Sequence, residues 1–287
     1  MPFFAFCLTA SFADDPSYDL GEQIGALQQK IEVAPSNKKG ALKVSCAKLL
    51  AQDQKEYDAI KLFLEALRDL PTLPVTTTQE EKELFEKNLK IYFDEDTTTG
   101  ERASILYKEL EPVLKQHEDF CLLRYLFASS CANLNKLDAF FDHFAKSYQQ
   151  NKECFLTHRS LGILHVKLFE KSADLEQRES EKAQALICFR KALEKEGRDT
   201  SLYKLLIFLA PAQQKKEACR EVIDKIISGD VVIPRKDIEF YVQAALASDD
   251  KKSAKAFLDK ACTWYQYSRT ILQLRSGLDD DKDESSR

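Results

Sequence analysis

The chain has 287 residues, of which 44% are apolar and 31% charged, and only 8 are Gly and 8 Pro. Few turn-forming residues among abundant Lys, Glu, Leu and Ala favour a nearly all-helical protein. The formal net charge of -5 disfavours a nucleic-acid-binding protein, which would usually have a basic face. The eight cysteines include no C-x-x-C pair, so we expect buried, reduced thiols and not a disulfide framework.

Residues 1–13 form a hydrophobic leader in which positions 3–13 carry no charge. An apolar run that ends in a small-residue site, here Ser11-x-Ala13, is typical of a secretory signal peptide. No Lys or Arg precedes Lys30, so the basic start of such a peptide is missing. We interpret the leader as a truncated signal peptide of an exported, periplasmic or secreted protein. The alternative is a buried N-terminal segment of a cytoplasmic protein. The run is too short to cross a bilayer, so we expect no transmembrane span.

The next segment, residues 14–39, is predicted to hold one short amphipathic helix and a turn. Leu20, Ile24, Leu27 and Ile31 recur at helical spacing, which indicates a helix with one apolar face. The polar sequence at 37–40, Asn-Lys-Lys-Gly, is predicted to be the turn that follows this helix.

Residues 40–275 are predicted to form six pairs of helices, because apolar residues recur at helical spacing on both sides of short polar breaks. The segment 170–181 is longer than a tight turn needs, so it extends one or both flanking helices or forms a surface loop. The stretch from Trp264 to Leu274 is expected to cap the open end, and the acidic residues 276–287 are expected to be a disordered tail. The predicted pairs lie within 41–70, 80–114, 120–148, 155–193, 202–227 and 238–262.

The pattern Ala-x3-Phe-x2-Ala occurs twice, and it is the most informative pattern in the chain. Two small residues and one large ring at this spacing share one helix face, which predicts a helix pressed closely against a neighbour. The residues are therefore predicted to form the core and not to touch a ligand. The copies are Ala59, Phe63 and Ala66 in the first pair and Ala185, Phe189 and Ala192 in the fourth, with looser copies that start at Ala218 and Ala254.

At these residues the chain resembles a tetratricopeptide-repeat (TPR) protein, a family built from stacked antiparallel helix pairs. The first pair also has Pro71 after its second helix, and the fourth has Leu161 and Gly162 on its first helix, as the family favours. The second and third pairs match only as generic helix pairs. The resemblance implies an all-α, right-handed α-solenoid of about six antiparallel helix pairs, with short N-terminal and C-terminal capping helices.

In this family the first helix of each pair lines a concave face that binds other proteins. When the positions that line this face in the family are aligned with this chain, the resemblance implies a mixed apolar and charged surface suited to an extended segment or a helix of a partner protein. Lys48 and Val44 stand where a clamp for acidic C-terminal tails would need Asn and Lys, so that partner class is disfavoured. The partner-binding residues implied are Lys48, Arg159, Ile163, Val166, Tyr203, Ile207, Glu239 and Gln243.

No sequence motif indicates catalysis, a metal or a cofactor. The chain has no G-x-S-x-G, Walker or G-x-G-x-x-G sequence, and the spacing of Cys154, His158 and His165 leaves a zinc site without a second segment to complete it. We therefore expect a non-enzymatic scaffold that binds another protein. The alternative is a structural, self-associating assembly factor of the cell envelope that oligomerises through the region from Trp264 to Leu274.

Overall fold

The computed structural model describes residues 20–74, 77–94, 96–229 and 231–280. These ranges contain fourteen α-helices, two short 3-10 turns at 212–214 and 235–237, and no β-strand, which confirms the all-α class. The helices are α1 Leu20–Val33, α2 Ser36–Gln52, α3 Glu56–Asp69, α4 Gln79–Tyr92, α5 Thr99–Gln116, α6 Cys121–Asn133, α7 Leu137–Gln150, α8 Phe155–Lys171, α9 Leu175–Lys195, α10 Thr200–Leu209, α11 Lys215–Ser228, α12 Ile238–Ala247, α13 Lys251–Trp264 and α14 Arg269–Asp280.

The helix α3 shows why the first Ala-Phe-Ala set is a packing element. Its two alanines and Phe63 are fully buried. The Phe63 ring lies among three rings of α7, with centroid distances of 4.3 Å to Phe141, 5.9 Å to Phe144 and 6.0 Å to Phe140. Aromatic pairs at these separations add to the free energy of simple area burial. The small residues thus let α3 approach its neighbours, and the ring fills the space between helices.

The second Ala-Phe-Ala set packs in the same way between α8 and α9. Phe189 is fully buried, and its ring lies directly over Gly162 of α8. A Cβ at position 162 would lie 2.3 Å from Phe189 Cε1, so the two helices come this close only because position 162 has no side chain. The glycine and the ring, which are 27 positions apart in the sequence, are therefore one packing contact.

The packing order of the helices differs between the two halves of the chain. From α8 to α14, each helix packs against the next one in sequence. In the first half, α2 and α3 pack against each other and against α7, and α3 also packs against α8, while α4 and α5 pack on α6. An ion pair reinforces the contact between α3 and α8, because Glu56 accepts a hydrogen bond from Lys167 at 2.6 Å and another from Lys171.

Several predicted boundaries differ from the structure. Residues 37–40, predicted as a turn, belong to the first turns of α2, which begins at Ser36 with Pro35 as its extended N-cap residue. The segment 170–181, in contrast, follows one of the predicted alternatives, because it extends both α8 and α9 and breaks only at 172–174. In the stretch from Trp264 to Leu274, Trp264 is the last residue of α13, residues 265–268 connect the two helices, and the rest lies in α14.

The ends of the chain complete the comparison with the predictions. Positions 276–280, predicted to be tail, belong to α14. The predicted leader 1–13 and the last residues, 281–287, lie outside the described residues. None of the helices in the described ranges combines the length and the apolar content that crossing a bilayer requires.

Candidate binding cleft

The eight residues implied by the resemblance differ widely in exposure. Tyr203 and Ile207 of α10 are only 4% and 2% exposed, so they offer almost no side chain to a partner. Ile163 and Val166 of α8 are partly buried and pack on the core formed by α9 to α14. The Lys48 ammonium lies 3.6 Å from the Asp142 carboxylate of α7. Glu239 and Gln243 of α12 are exposed to solvent. Arg159 lines a cleft.

That cleft is a cavity of about 130 Å³ where the second helix pair meets α6, α8 and the connection between α9 and α10. Five separate chain segments contribute to it, and most of their contributions are hydrogen-bonding groups or aromatic rings. The lining includes Tyr92, Phe93, Thr99, Arg102, Ser130, Asn133, Arg159, Arg198, Asp199, Thr200 and Ser201.

The start of α5 fixes one wall of the cleft. The Thr98 hydroxyl accepts from the Glu101 backbone N–H at 3.3 Å, and the Glu101 carboxylate accepts from the Thr98 N–H at 2.8 Å, which together form a capping box. The capped turn positions Arg102, which donates to the carbonyl oxygen of Thr97 at 3.0 Å and to that of Asp94. Arg102 also donates to the Thr99 hydroxyl at 3.3 Å, so the guanidinium secures the loop before α5.

Arg159 of α8 is the central group of the cleft. Its Nε donates to Asp199 Oδ2 at 2.6 Å, and its guanidinium lies over the Tyr92 ring at 5.4 Å from the centroid. The Arg159 side chain is 21% exposed and that of Asp199 only 6%. Burial would lower the pKa of Arg159, but Tyr92 and Asp199 together raise it above its usual value. The group is thus a permanent positive charge held at the inner wall.

The turn between α9 and α10 supplies the outer wall. Arg198 donates from Nε and Nη2 to the Glu196 carboxylate at 2.7 and 2.6 Å, which is the bidentate geometry of a strong arginine–carboxylate pair. Its guanidinium lies 5.7 Å from the centroid of the Phe93 ring. Asp199 follows in the chain and accepts a hydrogen bond from the Ser201 hydroxyl as well as from Arg159.

A second, wider concavity of about 380 Å³ lies among α1, α2 and α3. Its base contains Ile24, Leu50 and Leu62, and its rim carries Lys and acidic residues of α3 that are mostly exposed to solvent. Its charged groups point along one helix surface and do not converge from several segments. The cleft at Arg159 is therefore the better candidate for specific recognition.

The sequence predicted only one residue of this cleft. Arg102, Arg198 and Asp199 had no signal, because they lie in loops or at helix ends and no fixed spacing relates them to Arg159. In α10 the run from Leu202 to Leu209 is apolar on nearly every side, so its periodicity did not identify the exposed face.

In chemical terms the cleft presents guanidinium, hydroxyl and amide donors beside two aromatic rings, an arrangement that can hold an anionic group. In the described ranges, no group of three or more His, Cys, Asp or Glu side chains is placed to hold a metal ion.

No family model matches the sequence, and a search of curated proteins gives no matching relative.

Proposed function

We propose that this chain is a non-enzymatic scaffold, a TPR-like helical array that binds an extended segment or a helix of another protein. Two features support the array. Each helix from α8 to α14 packs on its successor, and both Ala-Phe-Ala sets are buried between helices as the family's packing residues would be. The net charge of -5 supports a protein partner over a nucleic acid.

The observation that carries the proposal is the cleft at Arg159. It joins the two halves of the chain, because its walls come from α4 to α6 on one side and from α8 and the α9–α10 turn on the other. Fixed polar groups beside aromatic rings suit the anchoring of one side chain of a peptide, with the remaining contacts spread over neighbouring helices.

A partner-recovery experiment with matched variants tests this function. The full chain, the variant Arg198→Glu at the cleft and the variant Arg190→Glu on the outer side of α9 are used to capture proteins from the native cell. Arg190 is a suitable control because its side chain is 46% exposed, lies 3.7 Å from Glu221 and is not part of the cleft lining. We expect one partner to be recovered by the wild type and by Arg190→Glu but lost with Arg198→Glu. Equal recovery by all three would refute the cleft as the binding surface.

Self-association remains the second candidate function, because the C-terminal cap exposes large side chains. Tyr267 is 96% exposed and Leu272 is 45% exposed, whereas Trp264 packs against Phe257 with a centroid distance of 6.2 Å. Light scattering of the wild type and of a Tyr267→Asp/Leu272→Asp variant distinguishes the candidates. A wild-type monomer at micromolar concentration would exclude self-association as the main role, and a dimer abolished by the variant would support it.

We also propose that the protein is exported, on the basis of the leader at residues 1–13. N-terminal sequencing of the protein from its native cell tests this location. A mature chain that starts at Asp14 would support export, and retention of the leader would favour the cytoplasmic alternative.

A further inference from the structure

We infer that the cleft at Arg159 is a receptor for a single carboxylate of the bound peptide, either an Asp or Glu side chain or a C-terminal carboxylate. The inference rests on the proposed function, because that function supplies the bound peptide that carries the carboxylate. It specifies the chemistry that the cleft recognises, at a place other than the clamp positions Val44 and Lys48 that the resemblance pointed to.

The charges around the cleft select the class of anion. Among the described residues, three guanidiniums line the cavity, and two of them are paired, Arg159 with Asp199 and Arg198 with Glu196. The acceptors of Arg102 are two backbone carbonyl oxygens and one hydroxyl, which carry no formal charge. Counted over the lining arginines and the carboxylates paired with them, one unit of positive charge therefore remains. A carboxylate balances it, whereas a phosphate dianion would leave the cleft negative beside Asp199.

The free hydrogen-bonding capacity of the cleft matches a carboxylate. Asp199 accepts from Nε of Arg159, so both Nη groups of this guanidinium remain to be shared between the nearby Tyr92 and a bound anion. Thr99 accepts from Arg102 and retains its own hydroxyl proton, and the Asn133 amide supplies two further donors. Planar carboxylates form paired hydrogen bonds with such guanidinium edges.

The position of Arg159 makes the contact specific. Its side chain is only 21% exposed, so an anion that reaches it leaves bulk water, and the attraction is less screened than at the protein surface. Tyr92 and Phe93 line the same cavity and can pack against the aliphatic part of the incoming residue. The space of about 130 Å³ admits one side chain but not a folded element.

Side-chain NMR of the full chain with small probes tests the inference. The Arg159 Nε–H signal, assigned by its loss in Arg159→Lys, is followed during titration with four compounds. N-acetyl-glutamate N-methylamide carries a side-chain carboxylate, and N-acetyl-alanine carries a C-terminal one. N-acetyl-glutamine N-methylamide is the neutral control, and N-acetyl-phosphoserine N-methylamide carries the phosphate.

We expect a saturable shift of the Arg159 signal with one or both carboxylates and none with the glutamine compound. The compound that saturates at the lower concentration identifies the source of the carboxylate. Arg198→Gln should weaken this binding about tenfold, because it removes a positive charge from the lining and leaves the Glu196 carboxylate unpaired beside the anion, while Arg190→Gln should leave it unchanged.

Two results would overturn the inference. Tighter binding of the phosphoserine compound than of both carboxylates would contradict the charge balance, and the absence of any saturable shift would show that the cleft holds no anion. Neither result bears on partner recovery. If Arg198→Glu abolishes partner recovery but none of the four compounds binds, only the carboxylate inference is refuted and the proposed function stands. If the carboxylates bind but Arg198→Glu recovers the partner as well as the wild type does, the proposed function fails instead.

Discussion

The contact between Gly162 and Phe189 gives the sharpest prediction, because a single methyl group tests it. A Cβ at position 162 would lie 2.3 Å from Cε1 and 2.5 Å from Cδ1 of a ring that is fully buried. The ring cannot move outward without disturbing the core, so Gly162→Ala should cost about 1–3 kcal/mol of overpacking. Alanine also favours a helix over glycine by about 1 kcal/mol, which offsets part of this cost.

A matched glycine separates the two contributions. Gly25 lies inside α1, and a Cβ built there has no heavy atom within 4 Å. Gly25→Ala should therefore gain about 1 kcal/mol from helix propensity alone. The difference in the free energy of unfolding between the two variants isolates the contact with Phe189, and we expect it to be about 1–3 kcal/mol.

Urea unfolding followed by circular dichroism measures both variants, with the m-values compared to exclude a change in the denatured state. Adding Phe189→Leu to Gly162→Ala should cost less than the sum of the two single changes, because the smaller side chain leaves room for the methyl group. If Gly162→Ala stabilised the protein as much as Gly25→Ala does, the proposed close approach of α8 and α9 would be refuted.

The other two predictions concern ionisable groups inside the fold. Burial alone would raise the pKa of Glu56, but the hydrogen bonds and charges of Lys167 and Lys171 lower it overall. The ionised Glu56 therefore stabilises the fold at neutral pH, and this stabilisation is lost as the pH falls through the lowered pKa. Glu56→Gln should cost about 1 kcal/mol or less at pH 7 in urea unfolding, and a cost that persisted in strong acid would contradict the ion pair. Burial and the Arg124 charge lower the pKa of His143 to about 4, so NMR titration should find this histidine neutral at pH 5.5. In the unfolded chain the histidine takes up a proton at about pH 6.5, so the folded state should lose stability as the pH falls below that value. A His143 midpoint near 6.5 would refute the buried environment.

Periodicity predicted most of the helices, because each one buries a stripe of apolar residues along its length. Phe63 and Phe189 were correctly interpreted as core residues, since a large ring between two alanines on one face favours close helix packing. The start of α2 was predicted too late, because a polar run that ends in Gly40 resembles a turn. In the fold, Gly40 instead lies where a Cβ would be 2.9 Å from the backbone of Asp69 and Leu70.

The cleft could not be predicted to the same degree, because its residues meet only in three dimensions. Arg159 is on α8, whereas its partner Asp199 lies in the turn before α10 and Arg102 is fixed by a loop before α5. The stacking of the helix pairs also determines which residues on the first helix of each pair are exposed to solvent. Tyr203 is 4% exposed and belongs to the core formed by α9 to α14, a position that the local sequence pattern does not indicate.

The packing of α3 on α8 has a consequence for how the chain reaches its fold. The lysines that contact Glu56 lie 111 and 115 residues further along the chain, so this contact closes a long loop. Contacts of such sequence separation slow folding, because the entropy of closure is lost before the contact forms. During synthesis, the first helix pair must therefore wait for α7 and α8 to emerge before its partner surface exists. Removing the later helices should therefore leave that pair without its neighbours.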